Sequence, residues 1–289
     1  MVKKLYKHEL SALARMLVPV NLICLALSLV LRLTYFIQDK FIDNSVFEMF
    51  SVLLLMFFVI SIIAVFFVSY AMIIVRFYKH LLSSEGYLSM TLPVKPSSHI
   101  ITKTVCSMIF MIISAIVVIG SVLIAASSSP DFTEFLQESW RYIKAFGEIL
   151  GPSTVTLIII EMAVFMLVSL LQSILMPYAS MALGQCARKS KVGMSVAWYF
   201  IISIILTIVR NIVTLVTMFF IGNFNIDSIE ATAEMEIETF EDFSVFVKEI
   251  LSVSGAHVIV LESILLAAVS AAAFYIITRY VLKNKLNLE

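Results

Sequence analysis

The chain has 289 residues, of which 61% are hydrophobic and 14% charged, with 20 basic and 20 acidic side chains. That apolar share exceeds the roughly 45–50% of a soluble globular domain, so the composition excludes an ordinary soluble protein. No gap between the chain's apolar stretches is long enough to fold an independent globular domain, so no ATPase, kinase or DNA-binding unit and no nucleic-acid partner is expected.

A bilayer's hydrocarbon core takes about 20 apolar residues to cross as a helix. Six stretches qualify, at 16–38, 47–75, 104–127, 153–181, 194–221 and 256–282. The predicted fold is all-α, one polytopic domain over 1–289 with both termini cytoplasmic. Orientation follows from the positive-inside rule. With the N-terminus inside, 14 of the 20 Lys and Arg fall at or beyond the inner ends of the spans, and Lys40, Arg141, Lys144 and Lys248 fall outside. The basic start leads into a stretch of spanning length without a small-residue cleavage site, so the first span is expected to stay as an anchor. Cys24 and Cys106 lie in spans and Cys186 in an inner loop, which predicts no structural disulfide.

Before the first span, Leu5, Tyr6, Leu10, Leu13 and Leu17 recur near helical spacing among Lys3, Lys4, Lys7 and His8. Their separation into apolar and basic faces predicts a helix lying in the inner interface, ahead of the alternative, a plain extension of span 1. The gap 76–103 follows span 2. Gly86 allows a sharp change of direction, Pro93 and Pro96 stiffen the chain, and Ser97 or Ser98 is expected to cap the helix into span 3. Between those ends a short cytoplasmic helix is expected to present Tyr87, Leu88, Met90 and Leu92, an apolar surface rimmed by charge, the pattern of a docking site.

The outer loop 128–152 places Phe132, Phe135, Leu136, Trp140, Ile143 and Phe146 at steps of three and four, which predicts an amphipathic helix with its aromatics in membrane lipid at the interface. The outer loop 222–255 is acidic, with Asp227, Glu230, Glu234, Glu236, Glu238, Glu241, Asp242 and Glu249 against Lys248. It reads either as a lid or cation-attracting vestibule, or as a solvated helix. Four ionisable residues fall within spans: Arg32, Glu161, Arg210 and Glu262. At about 1.5 Å per residue all four lie in the outer half. Charges in hydrocarbon face other helices or water, and depth matches Arg210 with Glu161 and Arg32 with Glu262. Pro177 predicts a kink in span 4. Ala267, Ala268, Ser270, Ala271, Ala272 and Ala273 predict a close-packing face in span 6.

Three inner segments carry a family likeness. Glu85-Gly86-Tyr87-Leu88, then Thr91-Leu92-Pro93-Val94, then Lys103 form the first. Gly184-Gln185 followed by Arg188, Lys189, Lys191 and Gly193 form the second. The ending Leu282-Lys283-Asn284-Lys285-Leu286-Asn287-Leu288-Glu289 is the third. In this order and placement they resemble the membrane subunits of type 2 ABC exporters from Gram-positive bacteria. The resemblance implies a permease in the bacterial plasma membrane, paired with a second permease subunit as a homo- or heterodimer. It also implies ABC ATPase subunits docked on the cytoplasmic side. A coupling helix around Leu82 to Leu92 would enter a cleft on each ATPase, with Glu85, Gly86, Tyr87, Leu88, Leu92 and Pro93 at the contact.

The sequence holds no Gly-x-x-x-x-Gly-Lys-Ser/Thr pattern. No cofactor site, metal site or catalytic set is expected in this chain, and it is not expected to be an enzyme. ATP and Mg would be bound by the partner ATPase. His8, His80, His99 and His257 show no metal spacing. The alternatives are a non-transporting membrane immunity or assembly factor, and an ion-coupled secondary transporter. The second is disfavoured because no internal repeat or matched pair of broken spans is evident.

Overall fold

In a computed structural model, residues 2–38, 45–83, 86, 94–127, 132–187, 190–221 and 254–284 are described. Every regular element among them is helical: α1 (Val2–Gln38), α2 (Ser45–Phe77), a π-helical turn (Tyr78–Leu82), α3 (Pro96–Ala126), α4 (Phe132–Leu150), α5 (Pro152–Gly184), α6 (Lys191–Ile221) and α7 (Ser254–Asn284). Six of them, all but α4 and the π turn, are long and apolar enough to cross a membrane. Large apolar side chains stay uncovered along them, including Phe67 at 73% exposure and Leu215 at 66%. In water such a surface would drive aggregation; in lipid it is the solvated face. The chain is an all-α, multi-pass membrane protein.

Four predicted spans end within three residues of α2, α5, α6 and α7. The other two helices begin earlier than expected. α1 starts at Val2 and continues through Pro19, so the N-terminal segment is an extension of the first span and not a separate interfacial helix. The reason is packing. Leu13 and Leu17 are buried on Cys106 and Phe110 of α3, with Tyr6, Leu10 and Met72 around them. The apolar face expected to meet lipid meets protein. α3 starts at Pro96, eight residues before the predicted span. Lys95, not Ser97 or Ser98, is its N-cap, and no side chain caps it. Pro96 opens the helix because its fixed φ suits the first helical position and its missing N–H costs nothing there. α5 runs unbroken through Pro177.

The chain divides into two compact units, Met1–Phe135 with Thr278–Glu289, and Leu136–Ile277. In the first, α1 buries Glu9, Leu13, Leu17, Asn21, Cys24, Ser28, Leu31 and Thr34. The steps of three and four are a coiled-coil-like seam. α2 answers with Ser51, Leu54, Phe58, Val65, Ser69, Ile73 and Arg76, and α3 with Ile100, Lys103, Ser107, Phe110, Ser114 and Ser121. Cys24, Leu31, Leu54, Phe58, Val65 and Val118 form one cluster where the three helices meet. Serines seven apart on α3 let the backbones approach closely. At mid-seam, Asn21 Nδ2 donates to Ser114 Oγ at 3.1 Å, and Ser69 Oγ lies 3.5 Å from the same oxygen. Such bonds between spanning helices contribute about 0.6–2 kcal/mol each.

In the second unit α5 packs against α6. Ala267, Ser270, Ala271 and Phe274 make a buried stripe on α7, while Ala268, Ala272 and Ala273 are exposed. The packing face is therefore narrower than the small-residue run. α4 is the amphipathic helix expected in loop 128–152. Phe135, Leu136, Trp140 and Ile143 are exposed on it, and Lys144 Nζ lies 5.7 Å from the centre of the Trp140 ring. The side chain of Phe146 and the whole acidic stretch 222–253 lie outside the described residues. If lipid covers the apolar face of α4, brominated phospholipid will quench Trp140 fluorescence strongly in a Trp198→Phe background. Quenching no greater than that of a buried tryptophan would mean that protein covers the face.

Candidate docking site and its charge anchor

Loop 76–103 leaves α2 through a π-helical turn. Ser83 N–H donates to Tyr78 C=O at 3.1 Å, the i→i+5 bond that defines such a turn, and Ser83 Oγ bonds Lys79 C=O at 2.6 Å. π turns concentrate at functional sites because they re-aim the chain within a helix. Leu81 and Leu82 are buried. Gly86 is also buried, its N–H donating to Ser83 C=O at 2.8 Å. Of the residues expected at the contact, Glu85, Tyr87, Leu88, Leu92 and Pro93 lie outside the described residues. The other end is an extended Lys95 followed by Pro96.

Both ends of this loop are tied to one carboxylate. Glu9 of α1 accepts Arg76 Nε on Oε1 at 2.9 Å and Arg76 Nη2 on Oε2 at 3.1 Å. Lys103 Nζ donates to Glu9 Oε1 at 2.6 Å. The three side chains are no more than 9% exposed. The Arg76 contact is a fork-to-fork pair, which fixes angle as well as distance. All three residues fall on the helix seam. Glu9 precedes Leu13 by four, Arg76 follows Ile73 by three, and Lys103 precedes Ser107 by four. The triad is therefore a layer of the three-helix core built from charges instead of apolar groups, with buried Ile100 and Phe77 beyond it. It carries two cations to one anion. His99, one turn before Lys103, is 4% exposed, and its Nε2 has no hydrogen-bond partner among the described residues.

Sequence reasoning placed Arg76 and Lys103 among the charges of the inner face and passed over Glu9. The signal for Glu9 is nevertheless readable. It lies three after Tyr6 and four before Leu13, an acid on the apolar face of a segment otherwise basic.

The depth pairing of Glu161 with Arg210 is not the arrangement found. Glu161 Oε2 lies 2.9 Å from Nδ1 of His257, joining α5 to α7. Arg210 is exposed on α6, and among the described residues no ion pair joins it to Glu161. Depth along a helix axis does not set rotation about it, and α6 turns Arg210 away from the pairing face. Glu262 Oε1 accepts Thr214 Oγ1 at 3.2 Å, joining α7 to α6. Its Oε2 is buried and has no hydrogen-bond partner among the described residues. Arg32 is exposed on α1, in the first unit. α7 thus bonds to α5 and to α6 through side chains five residues apart.

The second motif also has a structural place. α5 ends at Gly184 and α6 begins at Lys191. A Cβ on Gly184 would lie 2.6 Å from Ser195 N and 2.7 Å from Ser195 Cα, so the two helices touch backbone to backbone here. Arg188 and Lys189 lie outside the described residues.

A scan of protein-family models, a search of curated proteins and a search of solved structures each found no match to this chain.

Proposed function

We propose that this chain is the membrane subunit of an ATP-driven exporter in the bacterial plasma membrane. It pairs with a second permease subunit and receives force from separate ABC ATPase subunits through loop 76–103. The observation that carries the reading is the anchor under that loop. A docking loop transmits movement only if its ends are fixed to the helices that must move. Glu9 binds both ends, Arg76 of α2 and Lys103 of α3, and itself belongs to α1 of the same unit. Force on the loop would therefore reach α1, α2 and α3 together as one packed body, the rigid-body kind of switching between discrete packings. The motifs at Glu85–Leu88 and Thr91–Val94 support the same reading, as does their position between the two anchored ends.

The test is affinity purification from gently solubilised membranes of the native organism. A nucleotide-binding subunit should copurify with the native chain and be lost from a folded Glu85→Arg, Leu88→Asp variant. Failure of any ATPase to copurify under several mild detergents would overturn the exporter reading.

A further inference from the structure

The second unit holds a groove of about 440 Å³ between α6 and α7. Val213 and Thr217 of α6 line it, with Val258, Leu261 and Leu265 of α7 opposite. Among the described residues, Glu262 is the one ionisable side chain in its wall. Thr214 satisfies one carboxyl oxygen; the other is buried without a hydrogen-bond partner among the described residues. An unpartnered carboxyl oxygen in an apolar wall is unfavourable unless an opposite charge or a donor meets it. Arg210, four residues before Thr214 on α6, is exposed and does not line the groove. Leu261 and Leu265 are 49% and 65% exposed, so the wall on α7 opens outward along a face of spanning helix.

We propose that this groove is a binding site for a hydrophobic organic cation, with Glu262 as its counter-ion. A neutral acyl chain would match the apolar wall and leave the carboxyl unanswered. A hydrophilic cation would answer the carboxyl and be rejected by the wall. A cation with an apolar body satisfies both, and reaches the site by partitioning into the bilayer first. The proposal does not depend on the exporter reading, because binding requires no ATPase.

The probe is radiolabelled tetraphenylphosphonium, with the full chain in phosphatidylcholine nanodiscs and empty nanodiscs as the background. Saturable binding is expected, displaced by unlabelled cation but not by neutral triphenylphosphine oxide. Glu262→Gln should weaken it by about tenfold or more, the effect of losing the attraction between opposite charges in a poorly screened site. Leu265→Trp keeps the charge and fills the groove from an exposed position, and should weaken it as well. No saturable binding above empty nanodiscs overturns the proposal. So does undiminished affinity in Glu262→Gln, or equal displacement by the neutral compound, which would make the groove a lipid-tail site only.

Discussion

Glu9→Gln will destabilise the first unit by about 3–5 kcal/mol, the cost of leaving buried charge uncompensated. Arg76 and Lys103 are both buried and both bonded to this carboxylate. Without it, two cations face each other inside the helix seam with no anion between them. Lys103→Met should cost less. It removes one cation and leaves the bidentate Arg76–Glu9 pair, whose charges balance. The double variant Glu9→Gln, Lys103→Met should be milder than the sum of the singles, because residues in one network couple. Equilibrium unfolding in mixed micelles measures all three. Strict additivity, or a Glu9→Gln cost under about 1 kcal/mol, the size of an exposed pair, would mean that the triad anchors nothing. The same substitution tests transmission. Glu9 lies outside loop 76–103, yet ATPase copurification should fall if its ends are no longer held.

The six spans were legible because a run of apolar residues is a direct statement about length in a bilayer. The amphipathic α4 was legible because Leu136, Trp140 and Ile143 repeat at steps of four and three across a loop too short to fold otherwise. What escaped was rotation and company. Tyr6, Leu10, Leu13 and Leu17 announce an apolar face without saying whether lipid or α3 covers it, and α3 does. Arg76 and Lys103 obey the positive-inside pattern whether they are solvated or buried, so counting them hid their partner. Glu161 and Arg210 match in depth and sign, but neighbouring helices turn Glu161 toward His257 and leave Arg210 exposed. Pairwise contacts between helices far apart in sequence are set by packing, which periodicity alone does not encode.

Gly184→Ala will weaken the α5–α6 crossing by about 1–3 kcal/mol, the range for inserting a methyl into a filled site. The new Cβ would stand 2.6 Å from Ser195 N and 2.7 Å from Ser195 Cα. Those atoms are backbone inside α6, so one helix must move relative to the other. The Ser195 side chain is in the way too, and that part of the conflict can be removed. Ser195 Oγ bonds Lys191 C=O at 2.9 Å within its own helix and Met181 C=O of α5 at a longer 3.5 Å, so Ser195→Gly alone is the reference for the pair. Gly184→Ala combined with Ser195→Gly should therefore recover only part of the loss, because N and Cα remain. Full recovery would show that a hydroxyl, not the backbone, sets the distance between the helices. Gly193 is the control from the same motif. A Cβ there would meet nothing nearer than Ser190 at 3.7 Å, and the residue lies inside α6, where alanine is the better helix former. Gly193→Ala should leave stability unchanged or raise it slightly in the same unfolding assay. Two glycines nine residues apart are then separated by what each one touches. Equal damage at both would mean that the close approach at Ser195 does not limit the packing of α5 on α6.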